Sequence, residues 1–170
     1  FEEMVRRQPS LRTGIAPDDS GGFVQQVFEQ IAIEMPVQDL SHLDEPARDA
    51  EFRRRAQAIV DTPIAIESAP LFRCALYRLE PQKHVFFFMA HHIVWDGWSF
   101  DLLYQEMSAI YGALVAGEPH RLPPLAATYG DYAFWLREWL AGPEAAEQLE
   151  YWRKRFAVRP QLRALRPDHA

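Results

Sequence analysis

The period of apolar and polar positions changes several times along this chain, and each change marks an element. Phe1 to Gln8 reads as the end of an amphipathic helix, and Pro9 then forces the chain out of helix. Leu11 to Ile15 fits a short strand, closed by the turn-rich run Pro17-Asp18-Asp19-Ser20-Gly21-Gly22. Phe23 to Phe28 and Ile31 to Ile33 set β-branched and aromatic residues between polar ones, which is a strand pattern. Asp39 to Asp44 reads as a loop. Glu45-Pro46 opens a helix through Val60, whose Glu51, Arg53, Arg54 and Arg55 make a solvated face.

The clearest strand pair is Leu71 to Glu80 with Lys83 to His92, joined at Glu80-Pro81-Gln82. The first strand partly alternates, Phe72, Cys74 and Leu76 against Arg73, Ala75 and Tyr77. The second is apolar without a break from Val85 to Ala90, the pattern of a central strand covered on both faces. A helix is predicted from about Ser99 to Leu114, with Phe100, Leu103, Met107, Ile110 and Tyr111 on its apolar face and Gly117 as its stop. A proline-rich loop, Glu118 to Pro124, leads to two more helices, Tyr129 to Leu140 and Pro143 to Phe156. The aromatic row Tyr129, Tyr132, Trp135 and Trp139 is expected to pack in a core. The predicted class is α/β, a mixed β-sheet flanked by helices.

Composition narrows the setting. The net charge of −6 argues against nucleic acid or an anionic membrane as partner, because both reward a basic surface. A single cysteine, Cys74, excludes an internal disulfide and fits a reducing compartment. No apolar run is long enough to span a bilayer and the start does not resemble a signal peptide, so a cytoplasmic protein is expected. The chain opens inside a helix, without a methionine or an N-cap, as a piece of something longer would.

Candidate chemistry concentrates at the junction of the apolar strand and the next helix, Met89-Ala90-His91-His92-Ile93-Val94-Trp95-Asp96-Gly97-Trp98-Ser99. Adjacent histidines at the end of an apolar strand are unusual, since imidazole is costly to bury without partners. Strand geometry sends neighbours to opposite faces, so one histidine is expected to be structural and the other to face a site. A catalytic zinc centre needs about three protein ligands. Here one histidine and Asp96 converge at most, with His42, His84, His120 and His169 scattered, so no metal is expected. Acyl transfer fits better. Histidine moves protons near neutral pH, Asp96 fixes loop and imidazole, and Gly97 permits a tight turn. The helix start then offers backbone N–H groups to a developing oxyanion. On spacing alone, a pair of satisfied core histidines remains an equal reading.

The segment closely resembles the HHxxxDG signature of the condensation-domain superfamily, which includes chloramphenicol acetyltransferase-like enzymes. Arg7-Gln8-Pro9-Ser10-Leu11-Arg12-Thr13 resembles the RHExLRT motif of nonribosomal peptide synthetase condensation domains, with glutamine and proline in place of His-Glu. Tyr129-Gly130-Asp131-Tyr132-Ala133-Phe134-Trp135 resembles their YxDYAxW motif, and the three come in the family's order. The resemblance implies a chloramphenicol acetyltransferase-like lobe. Residues 1–170 would be the N-terminal lobe of a condensation domain, with the first motif and the C-terminal lobe missing.

The implied reaction is amide (peptide) bond formation between an acyl or peptidyl thioester and an aminoacyl thioester. Both substrates would arrive on the phosphopantetheine arms of donor and acceptor carrier proteins, with no cofactor bound directly. By position His92 is the implied catalytic histidine and Asp96 and Gly97 complete the catalytic motif. His91 and Arg12 are implied to be structural. Trp95, bulky where many members carry a small residue, is a candidate with Trp98 and Ser99 to line a tunnel. His91 argues against the heterocyclising relatives, which carry aspartate there. The implied partners are the carrier domains, the missing C-terminal lobe and an adjacent adenylation domain. That lobe supplies relatives with an arginine partner for the motif aspartate, so the fragment is expected to be inactive alone. Two other readings stay open: a stand-alone acyltransferase using CoA or a carrier, and a non-catalytic lobe that docks carrier proteins.

Overall fold

The computed structural model describes residues 1–158, so His169 lies outside the described residues. They fall into two compact units, Phe1–Thr128 and a second beginning at Tyr129. The first holds the helix α1 (Glu2–Arg7), a 3-10 turn (Pro9–Arg12) and the antiparallel pair β1 (Thr13–Pro17) and β2 (Phe23–Val27). It continues with β3 (Val37–Asp39), α2 (Glu45–Val60), β4 (Phe72–Glu80), β5 (Lys83–Ala90) and α3 (Gly97–Ala116). The mixed sheet has the order β3-β4-β5, with β3 parallel and β5 antiparallel to β4.

Alternation along β4 explains two cores. Phe72 and Cys74 join Met4 and Val5 of α1, Leu11, and Leu103 and Ile110 of α3. Ala75, Tyr77 and Leu79, on the opposite face, join Leu40 and pack with Phe52 and Ile59 of α2. The apolar run of β5 serves both clusters, Phe86 and Phe88 on one side, Val85 and Phe87 on the other. Its composition predicts a central strand. Instead β4 is the central strand, and the run from Val85 to Ala90 is half-buried because β5 pairs along one edge only among the described residues.

Other boundaries differ from the sequence pattern for local reasons. The first strand begins at Thr13, after Pro9 has started a 3-10 turn. Ile31 and Ile33 are irregular backbone that packs on the first core, not strand, and Val37–Asp39 forms a short strand that runs into the expected loop. Tyr111 is exposed; the buried stripe of α3 is Leu103, Glu106 and Ile110. Gly117 does end that helix, at φ 70° in the left-handed region that glycine enters without strain.

Two guanidinium groups satisfy backbone that no ladder can reach. Arg12 donates to the carbonyls of Val5 (3.0 Å), Arg6 (3.3 Å), Glu29 (3.3 Å) and Phe28, tying α1 to the end of β2. Arg73 of β4 donates to Ile59 (3.1 Å), Pro63 (2.6 Å) and Thr62, closing the end of α2. The carboxylate of Glu106 accepts from Arg7 Nε at 3.1 Å and Gln8 Nε2 at 2.8 Å, joining α3 to the chain around α1. Glu3, held by the Arg6 guanidinium and then by His120, has its carboxyl lowered from 4.5 to about 2.

The second unit is the helical hairpin α4 (Tyr129–Leu140) and α5 (Pro143–Arg155). Tyr129, Tyr132, Trp135 and Trp139 form a ladder of rings 5.8, 5.8 and 6.4 Å apart along α4. The expected core packing is not seen in this unit: the first three rings are about half exposed, and each packs chiefly on the next turn's ring.

Replacing Arg12 by alanine removes the donors to four carbonyls, of which those of Val5 and Phe28 are bonded in part-buried surroundings, so urea unfolding should show a loss of about 1–3 kcal/mol, with lysine recovering only part. Because the folded carboxyl of Glu3 is lowered, its stabilisation is present above pH 4.5 and disappears as pH falls towards about 2. Acid titration of Glu3→Gln should therefore show a flatter stability curve across that window.

Candidate active site

The last ladder residue of β5 is Ala90, and the paired histidines follow it in a turn. His91 N–H donates to Leu71 O at 2.8 Å, its carbonyl accepts from Val94 N at 3.1 Å, and its Nδ1 accepts from Ile93 N–H at 3.1 Å. The ring of His91 is thereby engaged and half-buried, while His92 is exposed. Strand alternation does not produce this difference, because the strand has already ended; the turn does.

Asp96 is extended (φ −143°, ψ −173°) and caps α3. Its Oδ1 accepts from Ser99 N–H at 2.9 Å and Ser99 Oγ at 2.7 Å, and Ser99 Oγ in turn accepts from Asp96 N–H at 3.2 Å. This is a reciprocal capping box, which satisfies donors that a helix start leaves without intrahelical partners. The Ser99 hydroxyl, then its N–H, hold the Asp96 carboxyl below the usual carboxylate range, and the nearby His92 imidazole adds to the effect.

The expected set of free backbone donors at the helix start narrows here. The Ser99 N–H belongs to the cap and is not available to an oxyanion. Gly97 is the first residue of α3, directly after the extended N-cap Asp96, and its φ is not positive; among the described residues only Gly21 and Gly117 have positive φ. A side chain at Gly97 would meet nothing within 4 Å, so glycine leaves bare backbone at the mouth of α3.

The three tunnel candidates separate. Trp95 packs on Phe88 (ring centroids 4.8 Å) and Phe100 (5.4 Å), within an aromatic cluster that reaches Phe1 through Phe88. Its Nε1 is buried without a hydrogen-bond partner among the described residues. Trp98 stands 81% exposed beside the cap, and Ser99 is part of the cap itself. Arg12 lies in the backbone clamp described above, away from this loop in sequence and in its bonding.

A cleft of about 580 Å³ runs between the 28–36 segment and β4, lined by Phe28, Ile31, Pro36, Phe72 and Cys74 among others, and by no residue from His91 to Ser99. Burial pushes the Cys74 thiol up to about 11, which leaves it unreactive at neutral pH. Among the described residues no three His, Cys, Asp or Glu side chains are placed to hold a metal, and no helix is long and apolar enough to cross a membrane. The part-buried Arg7–Glu106–Gln8 cluster escaped sequence reading. Its signal is a carboxylate between Leu103 and Ile110, on the apolar face of the predicted helix.

Comparison with known proteins places this loop in context. The family model described as "Condensation domain" matches residues 1–170. A linear gramicidin synthase of Brevibacillus parabrevis is 38% identical over 168 residues, covering 99% of this chain and 3% of that protein. Chondramide synthase cmdD of Chondromyces crocatus is 34% identical over 180 residues, covering 99% of the chain and 5% of that protein. The chain thus spans a small fraction of these relatives. Among solved structures, the SgcC5 protein of Streptomyces globisporus superposes with a TM-score of 0.73 at 28% identity, over 91% of this chain and 34% of that one. The starter condensation domain of rhizomide synthetase RzmA superposes with a TM-score of 0.83 over 94% of this chain and 38% of that one; at 23% identity this shows the shared fold.

Asp96→Ala removes the acceptor of the cap. Hydrogen exchange should show faster exchange of the first-turn amides of α3, with a lowered melting temperature, whereas Asp96→Asn should keep much of the protection.

Proposed function

The chain belongs to the condensation-domain family, and on that footing we propose that residues 1–170 are the N-terminal lobe of a domain that makes amide bonds in nonribosomal peptide synthesis. In this reading the amine of an aminoacyl thioester on an acceptor carrier protein attacks the carbonyl carbon of an acyl thioester on a donor carrier. A C–N bond forms, the C–S bond breaks, and the donor's phosphopantetheine arm departs as a thiol. Both arms belong to partner proteins and enter as substrate.

His92 is the side chain assigned to this step, and one observation carries the assignment. Its ring is exposed at the mouth of α3 beside the capped Asp96, while the ring of His91 is engaged by the turn. A free α-amine has a pKa of about 8, so deprotonating it is easy and positioning counts for more. His92 orients the amine and carries its proton from nitrogen to the departing sulfur. Asp96 fixes the loop that bears His92. Gly97 leaves room for the thioester to approach, and Trp98 lines that approach. Trp95 anchors the loop from below. His91 and Arg12 are structural.

An exposed imidazole needs a cover, because water competes for the acyl thioester. The C-terminal lobe, outside this sequence, would close the cavity, and the 170 residues alone would not turn over. An adjacent adenylation domain would supply the amino acid. The setting that fits is the cytoplasm, where the buried thiol of Cys74 stays reduced.

The test is His92→Ala in the full-length protein, assayed with loaded donor and acceptor carriers. Condensation should fall by about 10²–10⁴-fold with carrier binding retained. Product formation at the wild-type rate would overturn the assignment.

A further inference from the structure

The apolar face of α3 does not by itself define where its N-terminus points. Leu103, Met107 and Ile110 touch Met4 and Val5 of α1 and neighbouring rings through non-directional contacts. Contacts of this kind carry no direction of their own, so they do not by themselves single out one register among neighbouring packings. One turn of slip amounts to about 5.4 Å at the capped end. The directional element on this face is Glu106, which is 8% exposed. Its two oxygens are divided between two consecutive residues, Oε1 accepting from Arg7 Nε (3.1 Å) and Oε2 from Gln8 Nε2 (2.8 Å). Arg7 Nη2 also donates to Pro123 O at 2.7 Å, so the guanidinium is fixed from a second side.

We infer that Glu106, read by Arg7 and Gln8, sets the rotational and axial register of α3 and thereby aims the His92 loop at the reacting thioester. It is a positioning residue: it touches no substrate and acts through the helix whose first turn Asp96 caps. Buried ion pairs add little net stability over apolar replacements of similar volume, and fixing register is their best-attested use. The inference rests on the reading of His92 given above.

The experiment uses the full-length protein and two variants. In the first, Arg7→Met is combined with Glu106→Leu, which removes the pair without leaving a lone buried charge. In the second, Arg7→Lys keeps the charge and loses the planar fork. Thermal unfolding and steady-state condensation with loaded carriers are measured on both. The expected result for the apolar pair is a melting temperature at or above wild type with kcat lowered about tenfold to a hundredfold and KM for the acceptor carrier unchanged. Arg7→Lys should fall in between on kcat. Wild-type kcat in either folded variant overturns the inference, as does a kcat loss that only follows the unfolded fraction. Should the apolar pair fail to fold, Arg7→Lys decides alone by the same criteria. His92→Ala is run beside them. If that variant condenses normally, the assignment of His92 has failed; if it is dead while either folded register variant matches wild type, only the role of Glu106 has.

Discussion

A half-buried apolar strand must turn into a helix within a few residues, and one carboxylate governs how it does so. Asp96 accepts from the Ser99 hydroxyl and N–H and so fixes the first turn of α3. Immediately before it, Trp95 drives its ring among Phe88 and Phe100. An apolar anchor below and a polar cap above leave the intervening turn little freedom. The local shape of the turn that bears His92 follows from that pair of constraints, and so does the lowered pKa of Asp96, whose charged form is the one the cap binds.

The same division of labour runs through the first unit. Both faces of β4 are covered, one by α1 and α3 and the other by α2, so its side chains supply the apolar packing. The irregular connections are held differently, by guanidinium groups that gather carbonyls lacking a ladder partner. Arg12 and Arg73 act in this way, as Arg7 does at Pro123. Three arginines are thus bound to backbone, and Arg12 and Arg73 each satisfy at least one part-buried acceptor.

Much of this is legible in the sequence. The α2 boundaries, the β4–β5 hairpin, the Gly117 stop and the loop bearing His91, His92 and Asp96 follow from period, turn chemistry and helix-end residues. What could not be read depends on contacts distant in sequence. The strand β3 is three residues long and exists only because β4 lies alongside it in parallel. Ile31 and Ile33 have strand composition but find a core to pack on instead of a strand to pair with. Glu106 shows in the sequence only as a carboxylate on an apolar helix face, and its partner Arg7, 99 positions earlier, cannot be read from it. At the site, the turn lies at His92 to Val94, ahead of Gly97, which stands as the first residue of α3 behind the extended Asp96 cap.

The central claim is that the exposed ring of His92, and not that of His91, meets the reacting thioester. Mapped diethylpyrocarbonate modification of the full-length protein, with condensation followed in parallel, addresses it most directly. The account predicts that His92 is modified ahead of His91, that activity declines in step with it, and that loaded carriers slow both. Full condensation with His92 carbethoxylated, or inactivation that tracks His91 instead, would contradict it.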